Sequence, residues 1–180
     1  MPGTKRMAHA QKLCLDVDYG ADSVVAACVG FVEWPDAAAS FETTRRFEGA
    51  PNAYESGQFY RREMPYLVEL VRALPAAPAL IVIDGFVWLD GARPGLGAHL
   101  SHALADCCPI IGVAKRPFAG AAHATPLLRG ASQDPLFISA IGVELDRAVR
   151  GVASMCRLAT SCSRLATSPC GHPNCAVGPF

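Results

Sequence analysis

A chain of 180 residues that is 51% apolar has enough hydrophobic side chain for one packed domain with a short appendage, and this composition excludes an intrinsically disordered protein. With 16 basic and 16 acidic residues the formal charge is zero, so binding to nucleic acid gets no help from net charge and must use a local basic patch. No apolar run has the length of a membrane span, and Met1–Lys12 lacks the apolar core of a signal peptide; no membrane association and a cytoplasmic location are expected, with the eight cysteines as thiols.

In chain order, residues 12–19 and 23–31 are rich in β-forming side chains and are joined by Gly20-Ala21-Asp22, which predicts a hairpin. Residues 39–47 offer a third strand after the turn at Pro35-Asp36. A loop rich in Gly, Pro, Asn and Ser (49–58) leads to a helix with Pro65 in its first turn, where a missing N–H is harmless. Leu67, Leu70, Val71 and Leu74 follow at helical spacing. Then come a strand at 79–84, a loop at 85–95, a helix at 96–107 and a strand at 109–115. A Gly- and Pro-punctuated segment at 117–134, a short strand at 135–139 and a helix at 143–155 complete the series. Three antiparallel strands followed by alternating helices and parallel strands predict an α/β fold, with helices on the faces of a mixed sheet. Beyond it, Arg157-Leu158-Ala159-Thr160-Ser161 recurs as Arg164-Leu165-Ala166-Thr167-Ser168 with little apolar periodicity. A domain at 12–155 and a poorly ordered, Cys-containing extension at 156–180 are expected.

The chemistry sits at strand ends. Ala79-Leu80-Ile81-Val82-Ile83-Asp84-Gly85 is an apolar run that stops on a carboxylate, and Pro109-Ile110-Ile111-Gly112-Val113-Ala114-Lys115 stops on an ammonium. In open α/β sheets the C-terminal strand edge is where ligands bind. Asp16 lies inside the first apolar strand, where an unpaired charge is costly and Asp is depleted. Asp18 shares its parity and is an equal candidate. Hard divalent cations such as Mg²⁺ take oxygen ligands. Asp16, Glu63 and Asp84 are therefore candidate metal ligands, with Lys115 as a fixed positive charge for a phosphate or leaving oxygen. The bland alternative for Asp84 is ordinary Asp-Gly turn chemistry.

In this order, four blocks resemble the endonuclease V family over about residues 12–155. They are Asp16-Val17-Asp18-Tyr19; Tyr54 through Arg62-Glu63-Met64-Pro65; Val82-Ile83-Asp84-Gly85; and Gly112-Val113-Ala114-Lys115, followed by the Pro135–Ser139 strand. The resemblance implies an RNase H-like fold and Mg²⁺-dependent hydrolysis of a phosphodiester 3′ to a deaminated purine, hypoxanthine (inosine), in DNA or, for some members, RNA. It implies metal-binding roles for Asp16, Glu63 and Asp84, and a catalytic role for each of them and for Lys115. It implies a wedge role for Tyr54, which would separate strands beside the lesion. Gly57, Gly85 and Gly112 would let backbone approach an extruded base, and His99 matches a family histidine on the helix after the second acidic strand. A monomer acting on nucleic acid is expected.

Some positions depart from the family. Ala53 stands where Pro is usual, Phe86-Val87-Trp88 replaces a small or polar pair, and Ser139-Ala140-Ile141-Gly142-Val143 lacks the Gly-His whose histidine helps at the metal centre. The helix before the first strand is nearly absent. These departures motivate an alternative: a lesion- or structure-binding protein of the same fold with weakened or lost cleavage. A phosphodiesterase acting on structured RNA is a third reading.

Other features have plainer readings. Cys156, Cys162, Cys170, His172 and Cys175 lack the regular spacing of a zinc site. Cys107-Cys108 reads as buried thiol at the end of an apolar helix. Trp34 reads as packing, whereas Trp88 is also a candidate for stacking on a base. Arg45, Arg46, Arg61, Arg62 and Arg116 form either a phosphate-contacting rim or a solvated surface.

Overall fold

The computed structural model describes residues 11–49, 58–120 and 123–155, so the expectations for Tyr54, Gly57 and the 156–180 extension lie outside the described residues. Apolar runs in the middle strands and more mixed segments toward the edges form seven strands in one sheet, ordered β3-β2-β1-β4-β5-β7-β6. β1 (Lys12–Tyr19), β2 (Ser23–Phe31) and β3 (Phe41–Glu48) form the expected antiparallel series. β4 (Leu80–Asp84) and β5 (Ile110–Ala114) add on as parallel neighbours of β1 and of each other. β7 (Leu136–Ile141) turns back antiparallel to β5, and the short β6 (Thr125–Leu127) closes that edge against it.

Side chains alternate between two cores, as the two-residue strand period requires. Leu13, Leu15, Ile81 and Ile83 face α1 (Phe59–Arg72) and α2 (Leu96–Ala103) and pack with Leu67, Leu70, Val71 and Leu100. Cys14, Val82, Ile111 and Ile138 point to the other face and meet Ala148 and Val152 of α3 (Leu145–Ser154). Trp34 packs as expected, tilted against Phe31 with ring centroids 5.5 Å apart. A Cβ on Gly151 of α3 would collide with its indole.

Three local expectations are corrected. α1 begins at Phe59, so Pro65 lies in the second turn rather than the first, and Glu63 lies in the helix body. The proline is tolerated because Arg61 and Pro65 share the exposed side, where water reaches the carbonyl left without a helical donor. α2 ends at Ala103 rather than near 107, because Ala105 and Asp106 adopt left-handed φ of 56° and 52°. The Asp106 N–H donates to the Ser101 carbonyl at 2.9 Å, and the Ser101 hydroxyl donates to the Asp106 carboxylate at 2.7 Å. Cys107 is therefore an exposed thiol past the helix, while Cys108 is buried. β6 contains Pro126, which reads against a strand in sequence; it is accommodated at the sheet edge, where one side of the ladder is open.

Candidate active site

Asp16 and Asp84 reach one cavity from two strands, and Glu63 comes within range of their charges from α1. The β1–β4 register pairs Leu15 with Ile83, and carrying it one residue further sets Asp16 beside Asp84. Both point to the α3 side of the sheet, since Cys14 and Val82 belong to that core. Asp16 and Asp84 line the same small cavity of about 40 Å³, whose other walls include Val113, Arg129, Val152 and Met155. Arg129 anchors that wall by donating to the Met155 carbonyl. The Asp16 carboxylate accepts from the Val17 N–H at 3.0 Å. Burial, then Cys28 and Asp16, push the neighbouring Cys14 thiol up to about 12, so it stays protonated.

Lys115 follows β5 directly and sets its Nζ 3.6 Å from Asp84 Oδ2. Burial raises the Asp84 pKa, and the Lys115 charge and hydrogen bond pull it back down.

Glu63 arrives from α1 and is 8% exposed. Its pKa stands well above the ordinary carboxylate range, first because of burial and then because of the charges of Asp16 and Asp84. Tyr19, with the parity of Leu15 and Val17, faces α1; burial and then Glu63 push its hydroxyl pKa up. The Arg62 guanidinium lies 3.9 Å from the Tyr19 ring centroid.

Carboxylate oxygens suit a hard divalent cation, and the charges of Asp16 and Asp84 add to the burial that raises the Glu63 pKa. Among the described residues, however, no three His, Cys, Asp or Glu side chains stand close enough together to close around one ion.

The glycines meet beside this edge. Gly85 has a φ of 133°, which favours a residue without Cβ, and its N–H donates to the Val113 carbonyl at 2.9 Å. A Cβ on Gly112 would collide with the Gly85 carbonyl oxygen and stand 2.8 Å from Ser139 Oγ. The loop after Asp84 thus lies directly on β5. The buried Ser139 Oγ pins it by accepting from the Val87 N–H at 2.9 Å.

His99 sits on α2, stacked on Tyr60 with centroids 3.6 Å apart and rings 17° from parallel. Burial, then Arg61 and His102, lower its pKa, so the neutral imidazole is favoured. On β3, Arg45 pairs with Glu69 and Arg46 with Glu48, so these two arginines are engaged within the protein.

The run Ser139–Val143, where a histidine was sought, leads away from the carboxylates. Asp84 is level with Val113, whereas Ile141 pairs with Ile110, about 10 Å back along β5. Sequence reasoning missed Ser139, Tyr19, Arg62 as a ring partner, and Arg129. A polar Ser in an apolar strand and the odd parity of Tyr19 were available signals; Arg129, in an irregular segment, offered none.

The sequence pattern of the family described as Endonuclease V matches residues 5–170. An Endonuclease V of Streptomyces coelicolor is 38% identical over 97 residues, covering 54% of this chain and 40% of that protein. The chain spans about half the length, or less, of the curated Streptomyces relatives it matches. The crystal structure of Endonuclease V from Streptomyces avermitilis superposes with a TM-score of 0.60 at 34% identity, covering 80% of this chain and 71% of that one. A Ciona intestinalis Endonuclease V, in complex with a 24mer DNA containing an inosine followed by a ribo-adenosine, shares the fold with a TM-score of 0.64 at 18% identity, covering 81% and 77% of the two chains.

Proposed function

The chain belongs to the endonuclease V family, which has an RNase H-like fold, and on that premise we propose that it is a Mg²⁺-dependent endonuclease. It hydrolyses a phosphodiester on the 3′ side of a deaminated purine, hypoxanthine (inosine), in nucleic acid. The observation that supports this reading is that Asp16 and Asp84 line one cavity, that the charges of both reach Glu63, and that Lys115 stands beside Asp84. Asp16, Glu63 and Asp84 would hold the ion. Bound there, Mg²⁺ supplies Lewis acidity toward the phosphoryl oxygen and lowers the pKa of water.

Lys115 holds a fixed positive charge where a phosphate or departing oxygen gains negative charge. Gly85 and Gly112 present bare backbone to an extruded base, and the Ser139–Val87 hydrogen bond fixes that backbone in place. Tyr54 fills the gap the base leaves, Gly57 permits close approach, and His99, held flat by Tyr60, contacts the strand as a neutral ring. The partner is DNA, with RNA as the alternative, bound by a cytoplasmic monomer.

One observation favours a second reading, a lesion- or structure-binding protein with weakened or lost cleavage. Asp84 is engaged by Lys115, and no three described acids converge on one point. Parallel gel-shift and nicking assays on inosine-containing and plain oligonucleotides separate the two. Nicking beside inosine supports the nuclease, selective binding without nicking supports the second reading, and the absence of both nicking and selective binding removes both.

A further inference from the structure

The Phe86-Val87-Trp88 departure shapes a second cavity. The loop after Asp84 closes on itself: Trp88 bridges Pro94, and the Leu89 N–H donates to the Arg93 carbonyl at 2.9 Å. Asp90 Oδ1 accepts from the Ala92 and Arg93 N–H groups at 3.1 and 2.7 Å. The segment after Lys115 packs against this loop. The Arg93 guanidinium lies 5.3 Å from the Phe118 ring centroid, and a Cβ on Gly91 would stand 3.0 Å from His123 Nε2. Both segments that leave the charged strand ends are thus held together.

Between them and the sheet edge lies a cavity of about 480 Å³, lined by Trp88, Gly91, His123, Thr125, Ala140 and Leu145. β6 stops at Thr125, opposite Ile138, so among the described strands Ala140 has no neighbour on that side. The Trp88 indole is part-buried against the core, which leaves the rest of the ring to the cavity. The volume is within the range of small-molecule sites, roughly 300–1,000 Å³. The described walls offer an indole, an imidazole and a hydroxyl, and no carboxylate.

Resting on the proposed function, we propose that this cavity is a second nucleobase subsite, taking an unpaired base of the bound strand stacked on Trp88. An indole face accepts any base, because every base has a π-face. Trp88 follows Gly85 by three residues, so the subsite is at most about 11 Å of chain from the glycine edge. That reach spans roughly three nucleotides at about 3.4 Å each. The base held here is therefore a near neighbour of the extruded one.

The chain has two tryptophans, and Trp34 is packed on Phe31, so quenching that is lost in Trp88→Phe reports on Trp88. The test is titration of the full chain with a single-stranded DNA oligonucleotide without inosine. Saturable quenching is expected in the wild type and in Asp84→Ala, and none in Trp88→Phe. Trp88→Ala, and Ala140→Leu, which fills the cavity while keeping the indole, are each expected to weaken binding about tenfold by gel shift. Equal quenching in wild type and Trp88→Phe, or oligonucleotide binding without quenching, overturns the subsite. If quenching is as expected while an inosine-containing strand is never nicked, the subsite stands and the nuclease reading falls; nicking without Trp88 quenching gives the reverse.

Discussion

Lys115 Nζ lies 3.6 Å from Asp84 Oδ2, with both side chains somewhat over a third exposed (38% and 39%). Asp84 ends β4 and Lys115 follows β5, two parallel strands whose register sets Asp84 level with Val113, two residues before the lysine. The pair is open to solvent, so its attraction contributes little to stability. Its effect is local: burial raises the Asp84 pKa, and the ammonium pulls it back down. An arriving phosphate or cation meets both charges together.

Replacing that ammonium removes the fixed positive charge and leaves the fold intact. Lys115→Met is expected to lower the initial rate of nicking about 100- to 1,000-fold, the scale for losing one electrostatic contact to developing charge. Oligonucleotide affinity by gel shift should change far less. An unchanged rate would remove Lys115 from the chemistry.

Glu63 makes metal-free stability depend on pH. Its folded-state pKa is above its unfolded value, so between the two the native state holds a proton that the unfolded state releases. Stability is undiminished below the unfolded pKa and falls as pH rises toward the folded one, by at most about 1.4 kcal/mol per pH unit. Glu63→Gln is expected to flatten this slope and to be the more stable protein at pH 8. Urea denaturation at pH 5 and pH 8 checks it; equal slopes in both proteins would contradict it.

A divalent cation should relieve the same repulsion. Mg²⁺ at about 100 times its Kd is expected to stabilise the native state by about 2.7 kcal/mol, more at pH 8 than at pH 5. Asp84→Asn should lose most of this gain. Thermal unfolding with and without Mg²⁺ measures it without reference to cleavage.

The loop over β5 leaves no room for a methyl group at Gly112. Gly112→Ala is expected to destabilise by about 1–3 kcal/mol, the range for overpacking. Ser139→Ala should cost about 1–3 kcal/mol by leaving the buried Val87 N–H without its acceptor. Both act on one loop, so the double variant should fall short of the sum. Additive losses in chemical denaturation would show that the two contacts are independent.

Most of the fold was legible because its signals are local. The alternation in β1 and the apolar runs of β4 and β5 each specify their element without reference to the rest of the chain, and Asp84 and Lys115 announce themselves as charges ending apolar strands. The misread boundaries came from features that depend on surroundings. Pro65 survives in a helix body because its side of α1 is wet, and Pro126 survives in a strand because that strand is an edge. Asp106 ends α2 through a left-handed turn that nothing in Ala105-Asp106 requires. The approach of Glu63 to Asp16 and Asp84 depends on where α1 docks, which sequence pattern does not encode. Ser139 gains its meaning only once the 85–87 loop crosses to β7.

The central claim is that Asp16, Glu63 and Asp84 act together in cutting nucleic acid beside a deaminated purine. Nicking of a single-inosine oligonucleotide in Mg²⁺, measured for the wild type and for Asp84→Ala at matched concentrations, tests it most directly. The expected result is one cut on the 3′ side of the inosine by the wild type and a loss of at least about 100-fold in the variant, on the scale of removing a catalytic charge. Equal cutting by both proteins would contradict the assignment of Asp84, and no cutting by either would contradict the nuclease itself.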